Sequence, residues 1–319
     1  MSASDLIIHQ VTLPVPFPLK TANVYLVGTG AGTILIDTAF YSPDAWAALR
    51  GEVAVFTAVH GQLGAIVLTH HHPDHIGMAG RLQEHYGVPV LASPGEAELV
   101  GRVWGPDADG GGTEFYKAHG MPAAALRSIT RELDDLLAAL APLPLVDWIP
   151  TNCLLALAGA EFVPVLTPGH SPAHLCLFHP PSATLFVGDH LLPRITPNIG
   201  WYPYSGPDPL RDFLSALDAI EHLPVREAYP GHGAPILDIR ARIAGLRAHH
   251  AERLRAVRAL LDGTALTGYQ VAEGLFGAGL PPQQARLAVV EMLAHLEHLR
   301  QRGDVAITWR HARAAYRAR

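Results

Sequence analysis

A layered α/β fold, followed by a mainly helical C-terminal segment, is what this 319-residue sequence predicts. Three observations carry the prediction. Short β-type runs alternate with helical stretches, the order that stacks helices on sheets. Nearly half of the residues (49%) are hydrophobic and 16% are charged, enough apolar matter for a sizeable core. His and Asp residues repeatedly follow a short apolar run with Gly beside them, as where a strand ends and the chain turns tightly.

The elements follow in order. Asn23 to Val27 and Thr33 to Ile36 are β-type runs separated by Gly28, Gly30 and Gly32, a hairpin signal. Asp44 to Val59 reads as a helix whose end is blurred by Gly51 and the later β-branched residues. Ala65 to Leu68 reads as a buried strand, Met78 to Tyr86 as a short helix stopped by Gly87, and Val88 to Ala92 as a strand. Between Gly95 and Trp148 the pattern changes. Glu96 to Val100, a Gly110-Gly111-Gly112 tract, Phe115-Tyr116 and Met121-Pro122 precede a helix over Ala123 to Leu140. Its Leu126, Ile129, Leu133, Leu136, Leu137 and Leu140 recur at three-to-four spacing, one apolar face. Val163 to Leu166 and Ala183 to Val187 are β-like. From about residue 240 helices dominate: Ile239 to Leu261 with Asp262-Gly263 as its stop, Thr267 to Leu275, and a long helix opened by Pro281-Pro282 and running through Leu299. A turn at Arg302-Gly303-Asp304 then leads to a strand from Val305 to Trp309.

The chemistry is concentrated at Thr69-His70-His71-His72-Pro73-Asp74-His75. Imidazole and carboxylate suit a borderline divalent metal such as zinc. On an extended backbone His70 and His72, two apart, point to the same side, whereas Asp74 and His75 diverge unless Pro73 turns the chain. The cluster alone therefore fits one metal or two. Three more places supply ligand-type side chains after β-like runs: Pro168-Gly169-His170-Ser171-Pro172-Ala173-His174, Gly188-Asp189-His190, and Pro230-Gly231-His232-Gly233.

In this order the motifs resemble those of the metallo-β-lactamase-fold hydrolases. The likeness spans Thr69 to Gly233, and Asn23 to Leu26 with Ile36-Asp37-Thr38 resembles the opening strands of that fold. The resemblance implies a four-layer αββα sandwich over residues 1–240, with residues 95–148 as a helical insertion covering the site. It also implies that His70, His72 and His170 bind one metal, that Asp74, His75 and His232 bind a second, and that Asp189 bridges them. The metals expected are two divalent ions, zinc first, iron or manganese otherwise. A hydroxide between such metals attacks an electrophilic centre, and Asp74 steers the leaving-group proton. His71 is expected to face away from the metals, with His174 and His190 behind the ligands or, for His190, beside an oxyanion. Phe115, Tyr116, His119 and Met121 of the insertion, and Arg194, Tyr202 and Tyr204 of the loop after Asp189, are the expected substrate contacts. Residues 241–319 resemble, in pattern and order, the winged-helix-like C-terminal domain of one branch of these hydrolases.

The implied activity is hydrolysis of a small ester, thioester or lactone. A metal-dependent phosphodiesterase or endoribonuclease is the alternative, and a mononuclear iron persulfide dioxygenase a weaker one, since the second-metal residues are all present. Charge bears on the choice. Residues 1–239 hold 10 Lys and Arg against 23 Asp and Glu, whereas residues 240–319 hold 13 Arg against 6. The basic tail favours a nucleic-acid partner, but its Arg residues are scattered along helices rather than grouped in a stripe, and the catalytic part is acidic. The expected partner is thus a small-molecule substrate, with self-association into a homodimer compatible. There is no apolar run of membrane-spanning length and no basic-then-apolar start at Met1 to Asp5, so a cytoplasmic protein is expected. Cys153 and Cys176 give no disulfide framework, and Cys176 reads as a small core residue. His249 and His250, on the predicted helix after Ile239, are expected in solvent.

Overall fold

The computed structural model describes residues 6–105, 108 and 112–319; Met1 to Asp5 and Gly110-Gly111 of the glycine tract lie outside them. The chain opens as a meander. β1 (Ile7–Pro14) pairs antiparallel with β2 (Thr21–Gly28), which pairs with β3 (Thr33–Ile36) across the glycine-spaced turn. α1 (Pro43–His60) begins where Ser42 Oγ accepts the Ala45 N–H at 3.1 Å, with Pro43 pre-set in the first helical position, and it runs unbroken through Gly51. β4 (Leu63–Val67) lies parallel to β3. α2 (Pro73–Ile76) is a single turn, and α3 (Ala79–Tyr86) stops at Gly87, whose left-handed φ of 65° suits a residue without a Cβ. After β5 (Val90–Ala92) come α4 (Pro94–Trp104), α5 (Thr113–Ala118) and α6 (Ala123–Leu140), then β6 (Val146–Trp148), which returns to the first sheet beside β5.

The second sheet is built from β7 (Leu155–Leu157), β8 (Ala160–Leu166), β9 (Leu175–His179) and β10 (Thr184–Gly188), and is completed after α7 (Pro209–Glu221) by β11 (Glu227–Pro230), parallel to β10. The sheets have the orders β1-β2-β3-β4-β5-β6 and β11-β10-β9-β8-β7. α8 (Ile239–Leu260), α9 (Gly268–Phe276), α10 (Pro282–Gln301) and an antiparallel hairpin of β12 (Val305–Arg310) and β13 (Arg313–Ala318) end the chain.

The side-chain period of two makes the layers. On β2, Val24 and Leu26 face the helices of the first half, while Tyr25 and Val27 face the other sheet. On β9 and β10, Leu175, Leu177 and Phe186 face inward between the sheets, while Cys176, Phe178, Leu185 and Val187 face α7 and α8. Three apolar layers between two sheets and their outer helices give the αββα sandwich. Fully burying a side chain of this size contributes about 1.5–3 kcal/mol, and β2, β9 and β10 bury such side chains on both faces.

Several elements depart from the sequence reading or add to it. β1, β6, β7, α7 and β13 were not foreseen. β13 is poor in β-branched residues and is held by pairing along β12, by a bridge from Leu266 to Tyr316, and by the fully buried Tyr316 ring. His250 is not in solvent: it is buried, with Nδ1 3.2 Å from Nε2 of the equally buried His295. One continuous apolar cluster contains Phe178, Leu185 and Leu217 together with Val289, Leu293 and Tyr316, so the core runs across residue 240. Cys176 is a buried core residue and Cys153 is exposed.

Candidate metal centre

The ligand-type side chains converge where strands end. Past β4, the Thr69 N–H and hydroxyl each donate to the Asp37 carboxylate at 2.8 Å, which fixes the start of the loop. His72 caps α2, and Pro73 at its first position turns the chain so that Asp74 and His75 swing round toward His70. His70 Nε2 lies 3.0 Å from His72 Nδ1 and 3.3 Å from His170 Nε2. His232 Nε2 lies 3.4 Å from Asp74 Oδ2. Asp189 stands between the two groups. Its Oδ1 is 3.5 Å from His75 Nε2, and its Oδ2 is 3.7 Å from His170 Nε2 and 3.4 Å from His232 Nε2.

The rings are oriented from behind. His70 Nδ1 faces Thr69 Oγ1 at 3.0 Å, His75 Nδ1 the Asp37 carboxylate at 2.8 Å, His170 Nδ1 the Asn198 carbonyl at 2.8 Å, and His232 Nδ1 the Thr21 carbonyl at 2.5 Å. Donation from Nδ1 leaves the Nε2 lone pair facing the centre, the tautomer a metal requires. His72 turns the other nitrogen inward. A metal fits this set on the protein's own evidence. His75 Nε2, His232 Nε2 and Asp189 Oδ1 are buried without hydrogen-bond partners, an arrangement that costs free energy unless something accepts their lone pairs. Within each of the triads His70/His72/His170, His70/His75/Asp189 and Asp74/His75/His232 the donor atoms lie within 4.8 Å of one another.

Electrostatics agree. Burial, reinforced by the neighbouring imidazoles, holds His70 and His72 well below the usual imidazole range. Burial would lower His75 and His232 too, but it is outweighed: Asp37 and Asp189 raise His75, and Asp189 with Asp74 carries His232 up to about 10. Burial would raise Asp189, yet His232 and His75 keep its carboxyl well below the ordinary carboxylate value. Asp74 and Asp189, as anions among the rings of His70, His72, His75, His170 and His232, make a cation site.

Above the centre lies a cavity of about 290 Å³. His72, Asp74, His170 and Asp189 form one part of its lining. Phe17 and Leu19 from the β1–β2 turn, Val103 and Trp104 from α4, Leu133 and Leu136 from α6, and Leu192 and Ile195 supply apolar walls. Of the expected substrate contacts, Tyr116, Tyr202 and Tyr204 line the cavity. Phe115, His119, Met121 and Arg194 do not. Phe115 and His119 pack on Trp201, at 5.5 and 5.8 Å between ring centroids, and His119 also faces Tyr316, because α5 turns that side toward the C-terminal helices. Arg194 points to solvent. The positive charge in the wall comes instead from Arg286 of α10, beside Gln283 and Leu287. Sequence reasoning passed over Arg286 as one of the arginines scattered through the basic tail.

His174 sits behind Asp189, its Nε2 accepting the Asp189 N–H at 3.2 Å while Nδ1 meets Thr167 Oγ1 at 2.8 Å. His190 is buried against Phe213, outside the cavity lining, and burial pushes it down to about 3, so it is a neutral core ring rather than an oxyanion partner. His71 faces away, its Nδ1 2.7 Å from Glu96 Oε2.

Residues 18–232 match the model of the metallo-beta-lactamase superfamily, and the chain belongs to that superfamily. It is similar to a metallo-beta-lactamase family protein of Thermus thermophilus, TTHA1429, whose crystal structure superposes with a TM-score of 0.86 at 32% identity over 98% of each chain. It is 26% identical to the probable metallo-hydrolase YqjP of Bacillus subtilis over 97% of this chain and 96% of that protein. It is 27% identical to the atrochrysone carboxyl ACP thioesterase dmxR1 of a Cryptosporiopsis species, over 78% of this chain but 60% of that longer protein. The chain is thus a metal-dependent hydrolase by family. No helix among the described residues is long and apolar enough to cross a membrane.

Proposed function

We propose that this protein is a dinuclear metallohydrolase acting on a small organic ester, thioester or lactone. The observation that carries the reading is the position of Asp189, whose two oxygens reach toward His75 on one side and His170 and His232 on the other at the base of an apolar cavity. His70, His72 and His170 would hold one divalent cation, and Asp74, His75 and His232 a second, with Asp189 shared. Such a pair, zinc first and iron or manganese otherwise, supplies an activated water and polarises the substrate carbonyl. Asp74 lines the cavity and stands where it can steer a proton to the leaving group. Trp104, Leu133, Leu136 and Leu192 exclude bulk water from the carbonyl and hold the acyl arm. The thioesterase name carried by one relative supports a thioester, and the size and apolar walls of the cavity support a small molecule over a nucleic acid. The order helix, helix, helix, hairpin over residues 241–319 supports the winged-helix-like reading of that segment, and two free cysteines suit a reducing cytoplasm.

The test is to load stripped protein with zinc, iron or manganese, count bound metal, and assay a panel of thioester, aryl ester and lactone beside single-stranded RNA. Two metals per chain and hydrolysis of at least one ester-type substrate, lost on stripping, is the expected result. One iron with no second metal, or RNA cleavage without ester turnover, would overturn the reading.

A further inference from the structure

Arg286 is placed oddly for a surface arginine. It sits in the first turns of α10, partly buried, and lines the same cavity as His72, Asp74, His170 and Asp189. Among the described residues, the other charged side chains in that lining are Asp74 and Asp189, and both face imidazoles of the metal centre. Among the described residues no carboxylate lies within 4.0 Å of the Arg286 guanidinium; the arginines that do have such a partner are Arg211, Arg247, Arg300 and Arg302. Its neighbours in the wall are tyrosines: Tyr116, Tyr202 and Tyr204, the last two stacked at 5.1 Å and 2°. Burial raises Tyr202 and Tyr204 above the usual phenol range, so they remain neutral hydroxyls. They offer hydrogen bonds but no compensating negative charge. A guanidinium drawn out of water without a counter-charge is costly unless an anion joins it, and its planar fork matches a carboxylate.

We infer that Arg286, with the hydroxyls of Tyr116, Tyr202 and Tyr204, forms an acid-binding subsite, so that the substrate is an ester or thioester carrying a free carboxylate at the end of a short apolar arm. The inference rests on the hydrolase reading and adds the substrate class. The ligand residues would hold the metals that polarise the scissile carbonyl, the walls from α4 and α6 take the methylene arm, and Arg286 takes the terminal carboxylate. One guanidinium with neutral hydroxyls matches a monoanion better than a phosphate dianion, which draws more than one cation. The small cavity leaves room for a short acyl group rather than a polymer.

The experiment compares two N-acetylcysteamine thioesters of equal chain length, pentanoyl and glutaryl, with zinc-loaded wild-type, Arg286→Met and Arg286→Lys proteins of matched circular dichroism. A charge-assisted contact predicts that wild type favours the glutaryl thioester by about tenfold or more in kcat/KM, expressed mainly in KM. Arg286→Met should erase the preference, and Arg286→Lys should restore part of it. In parallel, calorimetry follows N-propyl glutaramate, pentanamide and propyl phosphate. The glutaramate should bind wild type about tenfold more tightly than Arg286→Met, whereas a carboxylate held only by metal would bind both alike. Equal turnover of the two thioesters with equal glutaramate binding to wild type and Arg286→Met overturns the subsite and leaves the hydrolase standing. No turnover of either thioester, with Arg286-dependent glutaramate binding, overturns the hydrolase reading and keeps the subsite. Arg286-dependent binding that is tighter for propyl phosphate overturns the carboxylate assignment.

Discussion

Glu96 grips His71 twice, its Oε2 accepting the His71 backbone N–H at 2.9 Å and facing the ring Nδ1 at 2.7 Å. The other oxygen, Oε1, takes the Ser171 hydroxyl and the Ala173 N–H. One buried carboxylate at the start of α4 thereby ties the loop bearing His70 and His72 to the loop bearing His170, although it touches no ligand. Replacing Glu96 by Ala should leave the His71 and Ala173 amides unsatisfied and let the loops part. Metal affinity is expected to fall by about 10- to 100-fold, with a lower Tm in the metal-free protein as well. Metal titration and thermal unfolding of the two proteins check this; unchanged affinity would mean the loops are positioned without the clasp.

Gly231 explains why His232 can approach so closely. A Cβ at this position would collide with Asp189 Oδ1 and come within 2.6 Å of His75 Cε1. Gly231→Ala must therefore displace the shared carboxylate or the ring. The expected result is a folded protein that binds its second metal at least about tenfold more weakly, read from metal content after dialysis against a weak chelator.

Much of this site was legible because its ligands lie beside the strands that carry them. The apolar runs of β2, β4 and β10 and the run from His70 to His75 are local patterns, and so is the three-to-four spacing of α6. Glu96, Arg286 and Asn198 carry no local signal, since each matters only through partners distant in sequence that the sandwich brings close. His250 is a different case. Ile243, Leu246, His250, Leu254 and Val257 share one face of α8 at three-to-four spacing, so the pattern was present, but the doubled histidine read as polar surface. β13 was hidden for a physical reason: Arg-Ala-Ala-Tyr-Arg-Ala has little strand preference, and pairing with β12 together with the buried Tyr316 supplies what propensity does not.

Asp189 touches both halves of the centre, so its loss should not resemble the loss of a peripheral ligand. Asp189→Ala removes the only carboxylate among the described residues that is within reach of His75, His170 and His232 together. Bound metal should fall below two per chain, with turnover of any ester-type substrate reduced by at least about a thousandfold, a loss of roughly 4 kcal/mol of transition-state stabilisation. Elemental analysis and steady-state kinetics decide it. Two metals retained with full activity would remove Asp189 from the assignment.

The His250–His295 pair sets a pH limit on the fold. His295 Nδ1 donates to the Glu291 carbonyl at 2.8 Å, leaving its Nε2 to accept from His250 Nδ1. Burial pushes His250 down to about 3, helped by His295, and His295 down to about 4, with the Glu291 bond opposing. Arg253, His249 and His298 face the pair and resist a further positive charge, while Phe213 stacks on His250 and offers no counter-charge. Both folded values lie below the ordinary imidazole value near 6.5, so the unfolded chain binds more protons as pH falls. Stability is fully present above about pH 6.5 and is lost downward from there, at about 1.4 kcal/mol per pH unit for each ring. Substituting His250 by Phe removes one such proton. The loss in urea-unfolding free energy between pH 6.5 and 5.0 should therefore be smaller in His250→Phe than in wild type by about 2 kcal/mol. The metal-site imidazoles are common to both proteins, so their contributions cancel in the difference. Equal losses would show that these two rings gain their protons only after the fold has opened elsewhere.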